Sequence, residues 1–109
     1  MSWQDDALVH AKDQNPKEAV GLVLNIRGKQ KYFPCHNLAI TDHQCFILDP
    51  EDYVKADKLG DIIGVFHSHP VTSPEPTQAD KVSCEESNIP WYIVNRKLET
   101  WGYYEPQGY

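Results

Sequence analysis

The chain predicts an α/β layered domain built on a mixed or mostly antiparallel sheet. Two observations carry that expectation. Uninterrupted apolar runs at Ala19–Leu24 and Ile62–Phe66 read as strands buried on both faces. Segments with helical spacing stand before, between and after such runs, so helices and strands intermix along the sequence. A length of 109 residues is enough for one real core and too short for two, so residues 1–109 are expected to form a single domain.

The elements follow in order. Trp3, Ala7, Leu8 and Ala11 share one face of a helix from about Ser2 to Gln14, capped by Ser2 and stopped by Asn15-Pro16. The run from Ala19 to Leu24 is a central strand. The chain turns over Asn25 to Lys29, and Gln30 to Pro34 returns as a second strand. Arg27, Lys29 and Lys31 bracket Gly28 and read as a solvated hairpin tip. Phe46-Ile47-Leu48 predicts a short third strand. Asp49-Pro50 opens a brief helix with Tyr53, Val54 and Ala56, closed by Gly60. The Ile62–Phe66 strand comes next. Three prolines stiffen the loop from Pro70 to Pro76. A helix runs from Thr77 to about Glu86, and Pro90–Val94 and Leu98–Tyr104 make a final strand pair.

Composition removes several function classes. A formal net charge of −6, with no basic stripe, argues against nucleic-acid binding. No stretch approaches the length of a membrane span, and the acidic Met1–Asp6 segment lacks a signal-peptide layout. Three cysteines, Cys35, Cys45 and Cys84, with no Cys-x-x-Cys, do not make a disulfide framework, so a reducing, cytoplasmic setting is expected. Cys35, His36, His43 and Cys45 offer donors for a structural zinc, but their spacing matches no standard knuckle.

The chemistry gathers at the end of the Ile62–Phe66 strand. Strand side chains alternate, so His67 and His69 project together where it stops. With Asp80, eleven residues after His69, they supply two imidazoles and one carboxylate, a ligand set that suits one divalent ion such as zinc. Three protein ligands leave a fourth position for water, as catalytic zinc sites do. Another reading stays open: Thr77-x-x-Asp80 also looks like a helix cap with an acidic partner, although a capping box usually has Glu or Gln there. A carboxylate in a first helical turn can serve both ends.

His67-Ser68-His69-Pro70, then Thr77 and Asp80, with Glu18 upstream in Pro16-Lys17-Glu18-Ala19-Val20-Gly21-Leu22, resembles the JAMM (MPN-type) zinc metalloprotease family. The likeness runs from Pro16 to about Tyr104. It implies a cytidine-deaminase-like layered fold, a curved mixed sheet flanked by helices. It implies a zinc-dependent metallopeptidase that hydrolyses a peptide or isopeptide bond. His67, His69 and Asp80 would bind the zinc. Glu18 would act as general base, a role that spacing alone leaves open to Glu75 and Asp61. Thr77 would help hold the oxyanion, and it departs from the family's serine by one methyl group. Ser68 is expected to be structural. Cys84 shares a helix face with Asp80, either as a core thiol or as an occasional inhibitory ligand. Trp101 and Tyr103 share a face of the last strand, where packing is the simpler reading and a substrate tail the alternative.

Asp80–Glu85 followed by Pro90–Val94 resembles the phage branch of that family, the amino-terminal domains of lambda-type tail assembly proteins. Those commonly continue into an NlpC-type cysteine peptidase domain, which a longer parent chain could carry. The resemblance implies a protein or peptide substrate, such as a phage tail-tip protein or a ubiquitin-like protein, met in the host cytoplasm during phage assembly. The competing reading is a non-catalytic scaffold of the same fold. A deaminase would need His-x-Glu and Pro-Cys-x-x-Cys, which do not occur.

Overall fold

The computed structural model describes residues 2–15, 17–39, 47–69, 73–95 and 97–108. Its elements are α1 (Trp3–Gln14), β1 (Val20–Ile26), β2 (Lys29–Cys35), α2 (Pro50–Leu59), β3 (Asp61–Ser68), α3 (Gln78–Ser87), β4 (Trp91–Val94) and β5 (Trp101–Tyr104). They build one five-stranded sheet in the order β2-β1-β3-β4-β5. All neighbours run antiparallel except β3 and β4, so the sheet is mixed, as expected.

Each face of the sheet is covered by helix. Trp3, Ala7 and Ala11 recur at helical spacing and bury α1 against Val23, Phe66 and Val94. Small residues at two of the three contacts let the helix lie close to the strands. Alternation along β1 sends Val20, Leu22 and Leu24 to the opposite face, against Ala56 of α2 and Cys84 of α3. This is why β1 reads as apolar on both sides: it is central, with layers above and below. Trp3 joins the layers edge-on to Tyr92 and Trp101, with ring centroids 4.9 and 5.9 Å apart.

Local chemistry explains most boundaries. Ser2 and Asp5 form a reciprocal capping box at the start of α1. Asp49 caps α2, and Pro50 occupies its first turn. The β1–β2 hairpin is tighter than expected. The strands pair to Ile26 and Lys29, leaving only Arg27 and Gly28 to turn, with φ of +54° and +84°. Two left-handed residues match a two-residue hairpin turn, and glycine takes the more extreme value.

Two expectations need correction. Of the expected strand Phe46–Leu48, Phe46 lies outside the described residues, and the other two show an isolated bridge from Leu48 to Asn37, with Ile47 exposed. The last strand starts at Trp101 rather than Leu98. Leu98 has φ of +60° in a turn that Asn95 ties down by accepting from the Glu99 and Thr100 amides.

Candidate metal centre

The site forms where β1 begins, β3 ends and α3 starts. Val20 pairs with His67, so Glu18 and Ala19, just ahead of β1, lie beside the histidine triplet. Ser68 fastens them there. Its Oγ accepts from the Ala19 amide at 2.8 Å, and its own amide donates to the Ala19 carbonyl at 3.0 Å. Ser68 is structural, as expected, and it acts on the segment that carries Glu18. Asn37, which has no sequence signature, holds the Glu18 carbonyl through its side-chain amide at 2.9 Å. The amide of His69 donates to Val94 at 2.9 Å, continuing the parallel pairing one residue past β3.

Alternation brings the two imidazoles together, with ring centroids 4.9 Å apart. Both side chains are buried, and both turn Nε2 toward Asp80. His67 Nε2 lies 3.2 Å from Oδ1 of Asp80 and His69 Nε2 lies 3.0 Å from Oδ2. The Nδ1 atoms face acceptors instead: Oε1 of Glu18 at 3.2 Å for His67, and the Ser73 carbonyl at 3.1 Å for His69. An acceptor at Nδ1 orients the ring and favours the tautomer whose Nε2 can ligate, the arrangement usual around metal-binding histidines.

Asp80 serves the helix as well. Its Oδ2 accepts from the Thr77 amide at 2.9 Å, and Thr77 Oγ1 accepts from the Asp80 amide at 3.1 Å. The capping box is formed, and it coexists with the approach of Asp80 to both histidines. Burial opposes ionisation of Asp80, but hydrogen bonds from His67 and His69 and from the Thr77 backbone hold its carboxyl well below the usual range. Burial likewise opposes a charge on His67, and the flanking carboxylates of Asp80 and Glu18 outweigh it, raising the imidazole's pKa.

The donor set could hold a zinc ion. One ligand atom from each of His67, His69 and Asp80 lies within 4.8 Å of the others. Tetrahedral zinc with bonds of about 2.0–2.1 Å sets its ligands roughly 3.3 Å apart. The histidine–carboxylate separations of 3.2 and 3.0 Å run to different oxygens of Asp80, so small side-chain shifts would bring one oxygen and both Nε2 atoms around a single ion. A second group, His36, Asp49 and Asp52, meets the same distance test. Its members have other tasks: Asp49 caps α2, and Asp52 accepts from the amide and Nδ1 of His36 at 2.7 and 2.8 Å. Of the four donors considered for a structural zinc, His43 and Cys45 lie outside the described residues, and Cys35 is buried.

The remaining candidates sort by position. Glu18 is 3% exposed and adjoins His67, whereas Glu75 is exposed and Asp61 lies at the far end of β3. Thr77 is exposed beside Asp80. Cys84 is fully buried and its thiol points to the carbonyls of Ile89 and Tyr104, which makes it a core thiol. Trp91 is core and lies edge-on to His67, while Tyr53 is surface-exposed. Trp101 packs on Trp3 and Phe66, and Tyr103 lies at the surface against Tyr92.

The family model for prokaryotic homologs of the JAB domain matches residues 2–104. The tail tip assembly protein K of Escherichia phage N15 is 36% identical over 91 residues, which cover 84% of this chain and 37% of that protein. The chain therefore spans little more than a third of the length of that relative. A protein from Desulfitobacterium hafniense shares the fold with a TM-score of 0.72 at 24% identity, over 93% of this chain and 76% of that one. A JAB1/MPN domain protein from Archaeoglobus fulgidus does so with a TM-score of 0.62 at 21% identity, over 98% and 87%. No helix among the described residues is long and apolar enough to cross a membrane.

Proposed function

Because the chain belongs to the family of prokaryotic homologs of the JAB domain, we propose that it is a zinc metallopeptidase of the JAMM type. It would act as one domain and hydrolyse a peptide or isopeptide bond during phage tail assembly in the host cytoplasm. The observation that carries this reading is the convergence of His67 Nε2 and His69 Nε2 on the two oxygens of Asp80, beside a buried Glu18.

One zinc per chain would be held by His67, His69 and Asp80. A bound zinc supplies Lewis acidity, polarising the scissile carbonyl and making water nucleophilic near neutral pH. The protein's groups do the rest. Asp80 brings the negative charge that offsets the ion. Glu18 takes the proton of the attacking water and returns it to the leaving amine. Its Oε2 is suited to that, being buried with no hydrogen-bond partner among the described residues. Thr77 accepts from the Asp80 amide through its oxygen, which leaves its hydroxyl proton for the carbonyl oxygen of the substrate.

The substrate class is a protein or peptide. The similarity to a tail tip assembly protein favours a tail-tip component over a ubiquitin-like protein, and leaves room for a further peptidase domain in a longer chain. A scaffolding role is the second reading. It is favoured by Thr77, whose hydroxyl already serves a complete helix cap. The deciding experiment combines metal analysis of the purified chain with proteomic comparison of tail proteins exposed to the native chain or to Glu18→Gln. One zinc per chain and cleavage abolished by chelator and by Glu18→Gln are expected. Zinc far below one per chain under saturating supply overturns the metallopeptidase reading. Full zinc with identical cleavage patterns leaves the scaffold.

A further inference from the structure

The two oxygens of Glu18 have different surroundings. Oε1 lies 3.2 Å from Nδ1 of His67, between side chains that are 2% and 1% exposed. Oε2 is equally buried and has no hydrogen-bond partner among the described residues. The placement is set by the backbone on either side. Asn37 holds the Glu18 carbonyl at 2.9 Å, and Ser68 holds the next amide at 2.8 Å. These two contacts fix the main chain at Glu18, from which its side chain reaches the His67 imidazole.

We propose that Glu18 is a positioning residue for the metal as well as the base of the reaction. Its Oε1 accepts the Nδ1 proton of His67 and so commits Nε2 to the ion. This rests on the zinc reading above. A neutral imidazole carries one N–H, and the nitrogen that keeps it cannot ligate. His67 stands between two carboxylates, Glu18 at Nδ1 and Asp80 at Nε2, so either tautomer would find an acceptor. The ligating form needs the acceptor at Nδ1 to be the constant one. Asp80 is itself a ligand, and its lone pairs turn to the ion on binding, which leaves Glu18 as the fixed acceptor. His69 receives the same service from a neutral carbonyl, that of Ser73. An ionised acceptor makes the stronger hydrogen bond and raises ligand basicity more, so the grip on the ion is uneven, with His67 the better-supported ligand.

The test reads metal affinity, not turnover. Zinc is titrated into apo protein in competition with a chromophoric chelator, for the native chain, Glu18→Ala, Glu18→Met and Glu18→Gln. Loss of an outer-layer partner of this kind weakens binding by about 10–100-fold, and that is expected of both Ala and Met. The Gln amide oxygen can still accept from Nδ1, so Glu18→Gln should stay within about fivefold of the native affinity while losing proton transfer. Cobalt substitution gives a second readout: the d–d spectrum should shift in Met and Ala and be retained in Gln. Met fills the space of Glu and Gln is isosteric, so the comparison survives if Ala fails to fold, and apo melting curves identify that case. Native affinity in Ala and Met overturns the proposal. An equal loss in Gln and Met also overturns it, because charge alone would then explain the effect. A native chain that binds no zinc overturns the metal reading itself, a result distinct from the other two.

Discussion

Ser68→Ala should destabilise the protein far more than a serine-to-alanine change on a strand normally does. The Ser68 hydroxyl oxygen accepts from the Ala19 amide at 2.8 Å, and that hydrogen bond is buried. Ala19 is 1% exposed, so no water can replace the lost acceptor. A buried donor left without its partner costs about 1–3 kcal/mol, whereas deleting a solvated hydroxyl costs almost nothing. At about 4–8 °C per kcal/mol for a domain of this size, a mid-range loss of about 2 kcal/mol lowers Tm by roughly 8–16 °C. With a urea m-value of about 1.5 kcal/mol/M, the same loss moves the midpoint by about 1.3 M. The assay is urea and thermal unfolding of metal-free protein, so that altered zinc binding cannot contribute. Ser68→Thr keeps the oxygen and adds a β-branch that a strand tolerates, so it should recover most of the loss. A Ser68→Ala midpoint within about 0.3 M of native would refute the reasoning, because the Ala19 amide would then have found another acceptor.

Three further outcomes are expected. Thr77→Ala should lower stability by about 1 kcal/mol through loss of the α3 cap and slow any turnover by about 10²–10³-fold while zinc is retained; unchanged turnover in a peptide-cleavage assay would remove the hydroxyl from the chemistry. Gly102→Ala should destabilise by about 1–3 kcal/mol, because a Cβ there would meet the Pro74 carbonyl oxygen. The shifted loop also carries the Ser73 carbonyl that supports His69, so zinc affinity should fall with stability, and a variant that unfolds early but binds zinc normally would separate the two. Burial pushes the Cys35 and Cys84 thiols up to about 12 and about 11. Neither should react with iodoacetamide at pH 8 in the native state, as mass spectrometry of the labelled chain would show. Above the ordinary thiol pKa of about 8.5 the unfolded chain loses protons that the folded one keeps, so these two groups make stability fall as pH rises.

The parts of the fold legible in the sequence were those with a strong period or a local cap. α1 is declared by Trp3, Ala7 and Ala11 and by Ser2, and α3 by Thr77 and Asp80. The Ile47-Leu48 segment was not legible, because an apolar pair looks the same whether or not an edge is available to pair it; among the described residues of the segment, Leu48 makes an isolated bridge. Leu98 failed for a similar reason: its left-handed backbone is imposed by Asn95, three residues away, and no propensity foretells it. At the site, His67, His69 and Asp80 were readable because alternation and a helix start are local rules. Their supports were not. The acceptor for His69 is the Ser73 main chain, which has no sequence signature. Asn37 reaches Glu18 from nineteen residues away, and an isolated asparagine announces nothing.

The antiparallel register of β1 on β3 gives the sheet one end that carries the histidines and one that does not. Val20 faces His67 at the first, and Asn25 faces Asp61 at the second. The Arg27-Gly28 hairpin tip lies beyond the second end, roughly 20 Å along β1 at about 3.3 Å per residue. Both tip residues are exposed. A fluorophore, affinity tag or tether to a surface can be grafted at that tip, with the His67–His69–Asp80 cluster at the opposite end of β1 from the attachment.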